Sequence, residues 1–89
     1  MAKVLLSLKV MPAGIDVDLD RLREAIQSAL PGEVKVARSR VEPIAFGLNA
    51  LILQIVLPQD RGGDLEKVEE AIRATKGVGE IETLYATRV

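Results

Sequence analysis

The sequence contains neither cysteine nor histidine, and these two absences exclude much of the common catalytic chemistry. Without cysteine there can be no disulfide framework, no thiolate metal site and no thiol nucleophile. Without histidine the chain lacks the usual general base at neutral pH, the usual partner of a nucleophilic serine and the commonest zinc ligand. Single-chain hydrolase triads and zinc chemistry are therefore excluded.

Aromatic residues and excess positive charge are also scarce. The chain has one Phe, one Tyr and no Trp, and its 12 basic residues face 13 acidic ones, for a net charge of −1. Phosphate binding needs an excess of positive charge and base stacking needs aromatic residues, so we expect no nucleic-acid partner. The longest apolar stretch, residues 48–57, has about half the length of the roughly 20 residues of a membrane span. The composition predicts a soluble, intracellular protein without a membrane partner.

Hydrophobic periodicity predicts four strands. Residues 3–11 alternate between two faces, as expected for a strand with one well-buried face. Residues 33–41 carry several charges, which predicts an edge strand. Residues 48–57 are largely apolar on both faces, which predicts a central strand. A last strand, with an irregularity, is expected over roughly 78–88.

Two helices alternate with these strands. Residues 18–30 place apolar side chains at spacings of three and four, and Asp16 or Asp18 can serve as the N-cap. A second helix is predicted over 64–75. The resulting order is βαββαβ, in which right-handed crossovers place both helices on one face of the sheet. We therefore predict a single α+β domain over residues 1–89, with a ferredoxin-like split βαβ fold and a four-stranded antiparallel sheet.

The connection between the two middle strands is unusually apolar. It contains Pro43, Ile44 and Phe46, the only Phe in the chain, before Gly47, whereas such connections usually carry Asn, Asp, Ser and Gly. One interpretation is that Phe46 folds back and closes the end of the core. The other is that Phe46 is an aromatic anchor at the loop tip, the kind of residue that dominates a protein interface. An apolar loop beside a charged edge strand favours partner recognition over substrate turnover.

The same loop resembles the signature of the archaeal elongation factor 1-beta family. The resemblance rests on Glu42-Pro-Ile-Ala-Phe-Gly-Leu48 followed by Ala50-Leu51. Weaker matches are Lys9-Val-Met-Pro12, Val17-Asp-Leu19, Gly77-Val78 and Ile81-Glu82. Together they cover essentially the whole chain, and the Pro-Ile-Ala-Phe-Gly core is the most specific part.

The resemblance implies a cytoplasmic guanine-nucleotide exchange factor that acts on the GTPase elongation factor 1-alpha. Such a factor performs no covalent chemistry and needs no catalytic residue, metal or cofactor of its own. The resemblance also implies that Phe46 enters an apolar pocket on the GTPase, with Pro43, Ile44 and Gly47 in the same contact loop. The eukaryotic branch uses a lysine next to its C-terminus near the GTPase magnesium, and Arg88 stands at that position here. Its planar guanidinium differs in shape from an ammonium.

Two other classes of function remain as alternatives. A small regulatory or protein-interaction domain of this fold would bind ligands between paired subunits through a glycine-rich turn after the first strand. Pro12-Ala-Gly14 is a poor version of that turn. An enzyme of the acylphosphatase type would need an arginine in an anion-binding loop at the same place, and the first arginine in this chain is Arg21.

Overall fold

The computed structural model describes residues 3–58 and 64–88. The elements are β1 (Lys3–Pro12), α1 (Leu19–Ala29), β2 (Lys35–Pro43), β3 (Asn49–Pro58), α2 (Asp64–Arg73) and β4 (Val78–Arg88). The strands form one sheet in the order β2-β3-β1-β4, and each neighbouring pair is antiparallel. This arrangement confirms the predicted ferredoxin-like βαββαβ fold.

The core lies between one face of the sheet and the two helices. Strands β1 and β3 occupy the middle of the sheet, as the two-sided apolar pattern of β3 predicts. Their alternate side chains meet those of both helices in a single apolar cluster, so the helices cover the same face. The buried members from these four elements are Leu6, Leu8, Val10, Leu22, Ile26, Leu51, Leu53, Ile55, Leu57, Val68 and Ile72.

Helix α1 begins at a well-formed cap. The Asp18 carboxylate accepts hydrogen bonds from the backbone N–H groups of Asp20 (3.0 Å) and Arg21 (3.3 Å). Of the two caps that the sequence allows, Asp18 is therefore the one used. These bonds satisfy two of the free N–H groups at the helix start, and the negative charge suits the positive end of the helix dipole.

Gln27 ties this helix to the edge strand β2. Its side-chain amide donates to the carbonyl of Val34 at 3.3 Å and accepts from the N–H of Val36 at 2.9 Å. Strand β2 is at the edge of the sheet, as its charges predict, and within the described part of the chain its one strand neighbour is β3. The amide of Gln27 supplies hydrogen bonds on its open side, so the start of β2 has partners on both sides.

Strand β4 contains the expected irregularity. Ser7 pairs with Tyr85 whereas Leu8 pairs with Thr83, so Leu84 is an extra residue on β4. This arrangement is a β-bulge at a sheet edge. Leu84 is 43% exposed, while the Tyr85 hydroxyl accepts a 3.4 Å hydrogen bond from Gln54.

Neither of the two helices that the structure describes is long and apolar enough to cross a membrane.

The N-cap gives a stability prediction. We expect Asp18→Ala to lower the free energy of unfolding by about 1 kcal/mol, because two backbone N–H groups lose their acceptor. The measurement is urea denaturation followed by circular dichroism. Asp16→Ala is the matched control, since it removes the same charge two residues earlier without removing the cap. Equal losses in the two variants would contradict a specific capping role for Asp18.

Candidate partner-binding site

The connection between β2 and β3 is a tight hairpin turn. The backbone N–H of Leu48 donates to the carbonyl of Ala45 at 2.9 Å, and the N–H of Ile44 donates to the carbonyl of Leu48 at 2.9 Å. The two central residues of the turn, Phe46 and Gly47, have φ angles of 54° and 80°. Positive φ at both central positions is the signature of a type I′ turn, whose twist matches that of the flanking strands.

Phe46 is an unusual residue for this turn. The first central position normally holds Asn, Asp or Gly, because a bulky side chain at positive φ is sterically strained. Phe46 is the one residue other than glycine with a positive φ in the described part of the chain. Such strain costs on the order of 1 kcal/mol or more, and it clusters at functional sites in known proteins.

The Phe46 side chain points away from the protein. It is 98% exposed, the largest exposed fraction among the exposed large hydrophobic residues that the structure describes. The interpretation that Phe46 closes the end of the core is therefore wrong. Pro43 and Ile44, on the strand side of the same turn, are exposed as well. The hairpin thus presents an apolar tip without using it for internal packing.

A second exposed apolar residue lies beside this tip, on the loop between β1 and α1. Ile15 is 76% exposed and lines a small groove together with Gly14, Val17, Gly47 and Leu48. Ile15 is not among the site residues predicted from the sequence. The signal was present, because an isoleucine between Gly14 and Asp16 stands where a polar turn residue is expected.

The loop that carries Ile15 is held firmly at its base. The N–H of Ala13 donates to the carbonyl of Gly77 at 2.8 Å. Gly79 lies so close that an added Cβ would come within 2.9 Å of the Pro12 carbonyl oxygen and 3.1 Å of the Ala13 Cα. Glycine at position 79 thus lets β4 approach the end of β1. At the other end of the loop, Val17 packs against the core.

Arg88 lies at the opposite end of the sheet from the hairpin. Arg88 pairs with Val4, which in turn pairs with Leu57, whereas the hairpin begins at the Pro43–Asn49 pair. Leu57 and Asn49 are eight positions apart on β3, which corresponds to about 26 Å. The structure therefore brings Pro43, Ile44, Phe46 and Gly47 together and places Arg88 far from them.

Exposed charged residues lie at both ends of the sheet. Lys3 and Lys35 lie at the same end of the sheet as Arg88, since they pair with Pro58 and Val56. At the hairpin end, Asp16, Asp18 and Asp20 are exposed on the loop and first turn before and within α1. Asp18 forms an ion pair with Arg21 at 3.9 Å. Lys3 and Lys35 thus accompany Arg88 at one end, and the three aspartates accompany the apolar tips at the other.

The class of protein that this fold defines is a ferredoxin-like α+β domain, and its sequence assigns it to a family. The family model for the EF-1 guanine nucleotide exchange domain matches residues 5–89. The elongation factor 1-beta of Saccharolobus solfataricus is 44% identical over 100% of this chain and 98% of its own. That of Staphylothermus marinus is 42% identical over 100% and 99%, respectively. The chain belongs to the EF-1 guanine nucleotide exchange domain family.

A comparison of folds gives a more distant similarity. The C-terminal domain of the MgtC protein from Mycobacterium tuberculosis superposes with a TM-score of 0.58 and 11% sequence identity. The match covers 98% of this chain and 88% of that domain. At this level of identity the similarity concerns the fold alone.

The strained turn gives a second stability prediction. We expect Phe46→Asn to raise the free energy of unfolding by about 1 kcal/mol, because asparagine tolerates the positive φ. Phe46→Ala should leave it unchanged within about 0.5 kcal/mol, since the ring makes no core contact. Gly47→Ala, at the neighbouring positive φ, should lower it by about 1 kcal/mol or more. Urea denaturation measures all three. A loss of about 3 kcal/mol in Phe46→Ala would show that the ring stabilises the core.

Proposed function

We propose that this chain is a guanine-nucleotide exchange factor that accelerates GDP release from elongation factor 1-alpha. The observation that carries the proposal is Phe46, held fully exposed at positive φ inside the Pro-Ile-Ala-Phe-Gly motif. Family membership supports the same role. A fold that keeps a strained, exposed aromatic residue at a turn gains nothing from it internally, whereas a partner's apolar pocket would bury the ring.

Exchange requires differential binding and no covalent step. The factor binds the nucleotide-free GTPase more tightly than the GDP-bound form, and by linkage the GTPase then holds GDP more weakly by the same factor. Each tenfold weakening requires about 1.4 kcal/mol of differential binding. In this proposal the chain acts in the cytoplasm as a binding protein. Residues 1–89 serve as one exchange domain and use no catalytic residue or cofactor.

The geometry supports contacts at two separate places on the GTPase. Phe46, with Pro43 and Ile44 beside it, supplies an apolar anchor, and Gly47 gives the turn its shape. Arg88 supplies a cation at the opposite end of the sheet, where its strand partners are separated from the base of the hairpin by about 26 Å of β3. A cation near the magnesium and phosphates of the GTPase competes with the largest local charge that holds the nucleotide. In this arrangement the hairpin contributes affinity and the opposite end disturbs the nucleotide site.

The decisive experiment follows the release of labelled GDP from purified elongation factor 1-alpha under excess unlabelled nucleotide. We expect the unmodified protein to accelerate release at amounts well below those of the GTPase, since an exchange factor turns over. Phe46→Ala should lose activity equivalent to about 2 kcal/mol or more, the loss typical of an interface anchor.

Phe46→Ala also provides an internal control in this assay, because its fold is expected to remain intact. Thermal unfolding of the same sample separates lost contact from lost structure. Release that is unchanged by the unmodified protein would refute exchange activity and favour a small regulatory or protein-interaction domain.

The role of Arg88 is tested through magnesium. We expect Arg88→Ala to slow exchange modestly when magnesium is present. When a chelator removes magnesium, the variant should match the unmodified protein, because the ion with which the Arg88 guanidinium competes is then absent. Stability should change by less than about 0.5 kcal/mol, as Arg88 is an exposed residue at a strand end. Lys35→Ala is a matched control, since it removes another exposed cation at this end of the sheet. Equal rates for Arg88→Ala and the unmodified protein under both conditions would show that Arg88 does not contribute to exchange.

A further inference from the structure

Ile15 has the features of an interface residue but no role in the hairpin contact described above. It is 76% exposed, a large fraction for an isoleucine, and it occupies the second position of a turn closed by Val17 N–H and the Gly14 carbonyl at 3.4 Å. Turns of this kind favour Gly, Pro, Asn, Asp and Ser for conformational reasons. Local structure therefore does not explain why an isoleucine stands here.

Its position relative to Phe46 gives the explanation. Ile15 and Gly47 line the same groove, and Phe46 immediately precedes Gly47 in the hairpin turn. Leu48 and Val17 also line this groove, together with the polar residue Asn49. Two exposed apolar side chains thus lie on neighbouring loops that border one groove. An apolar protrusion on a partner could contact both tips at once.

Both tips are also pre-organised. The hairpin is closed by two backbone hydrogen bonds of 2.9 Å, and the loop of Ile15 is held by the Ala13–Gly77 bond and by the close approach of Gly79. Ordering a mobile loop on binding costs free energy, and loops that are already fixed avoid that cost. The backbone positions of Ile15 and Phe46 are therefore already fixed before a partner binds.

We propose that Ile15 is a second apolar contact for the GTPase, which together with Phe46 and the groove between them forms one binding surface. The proposal rests on the exchange function proposed above and extends it by a residue outside the family's loop motif. Ile15 acts in binding alone and takes no part in displacing the nucleotide.

The charge around the groove favours the GTPase over a second copy of this chain. Three exposed carboxylates, Asp16, Asp18 and Asp20, alternate with residues that line the groove. Two copies meeting groove to groove would bring these carboxylates together, and like charges in contact are unfavourable. The expected partner surface is therefore apolar at its centre and basic at its rim.

The experiment measures GDP release from elongation factor 1-alpha at increasing concentrations of the unmodified protein, Ile15→Ser, Phe46→Ala and Leu84→Ser. Leu84 is the matched control, because it is an exposed aliphatic residue on β4 that does not line the groove. We expect Ile15→Ser to require about tenfold more protein for half-maximal acceleration, with an unchanged rate at saturation. Its melting temperature should stay within about 2 °C of the original, since serine suits a turn.

Four results would overturn the proposal, and they are distinguishable. If Ile15→Ser behaves like the unmodified protein while Phe46→Ala is impaired, the exchange function stands and Ile15 is not a contact. If Leu84→Ser is impaired as much as Ile15→Ser, the effect is not specific to the groove. If sedimentation of the free protein shows a dimer that Ile15→Ser dissociates, a second copy occupies the groove. If the unmodified protein does not accelerate release, the exchange function itself fails and this proposal fails with it.

Discussion

The antiparallel pairing of β1 with β3 is the constraint on which the rest of the structure depends. Side chains alternate along each strand, so the register that sets Leu6 opposite Ile55 and Leu8 opposite Leu53 brings the apolar rows of both strands to one face. Both helices pack on that face, and the edge strands extend the sheet on either side. A slip of one residue would turn the core side chains to solvent. The same register places the hairpin and Arg88 at opposite ends of the sheet.

With stability concentrated in this core, the loops are free to carry features that do not help folding. Phe46 is strained at positive φ and exposed, and Ile15 occupies a turn position better suited to a polar residue. Each of these two residues lowers the stability of the fold slightly or leaves it unchanged, and no internal contact compensates for that effect. Local departures of this kind, in a protein whose other segments agree with the global fold, are expected at sites selected for binding.

The separation of the two ends also bears on the proposed exchange function. An apolar anchor gives affinity through desolvated contact area, whereas a cation is effective where charge holds a ligand in place. In that proposal the sheet fixes the separation of the strand positions that carry the two groups, so contact at one end would help to position the other. Because the spacing depends on strand length and register, it is insensitive to most substitutions on the solvent face of the helices.

The sequence by itself determined the elements, their order and the fold, because apolar periodicity, a capping aspartate at position 16 or 18 and the charged edge strand all indicate the same arrangement. It also identified the apolar hairpin, since Pro43, Ile44 and Phe46 contradict ordinary turn composition. Only the tertiary structure decided that Phe46 is exposed and at positive φ, because both interpretations agree with the same sequence and differ in the turn's geometry. The groove beside Ile15 likewise arises from two loops more than 25 residues apart in the chain, which meet only when β1 and β3 pair. Long-range pairing of this kind leaves no local pattern from which the contact can be read.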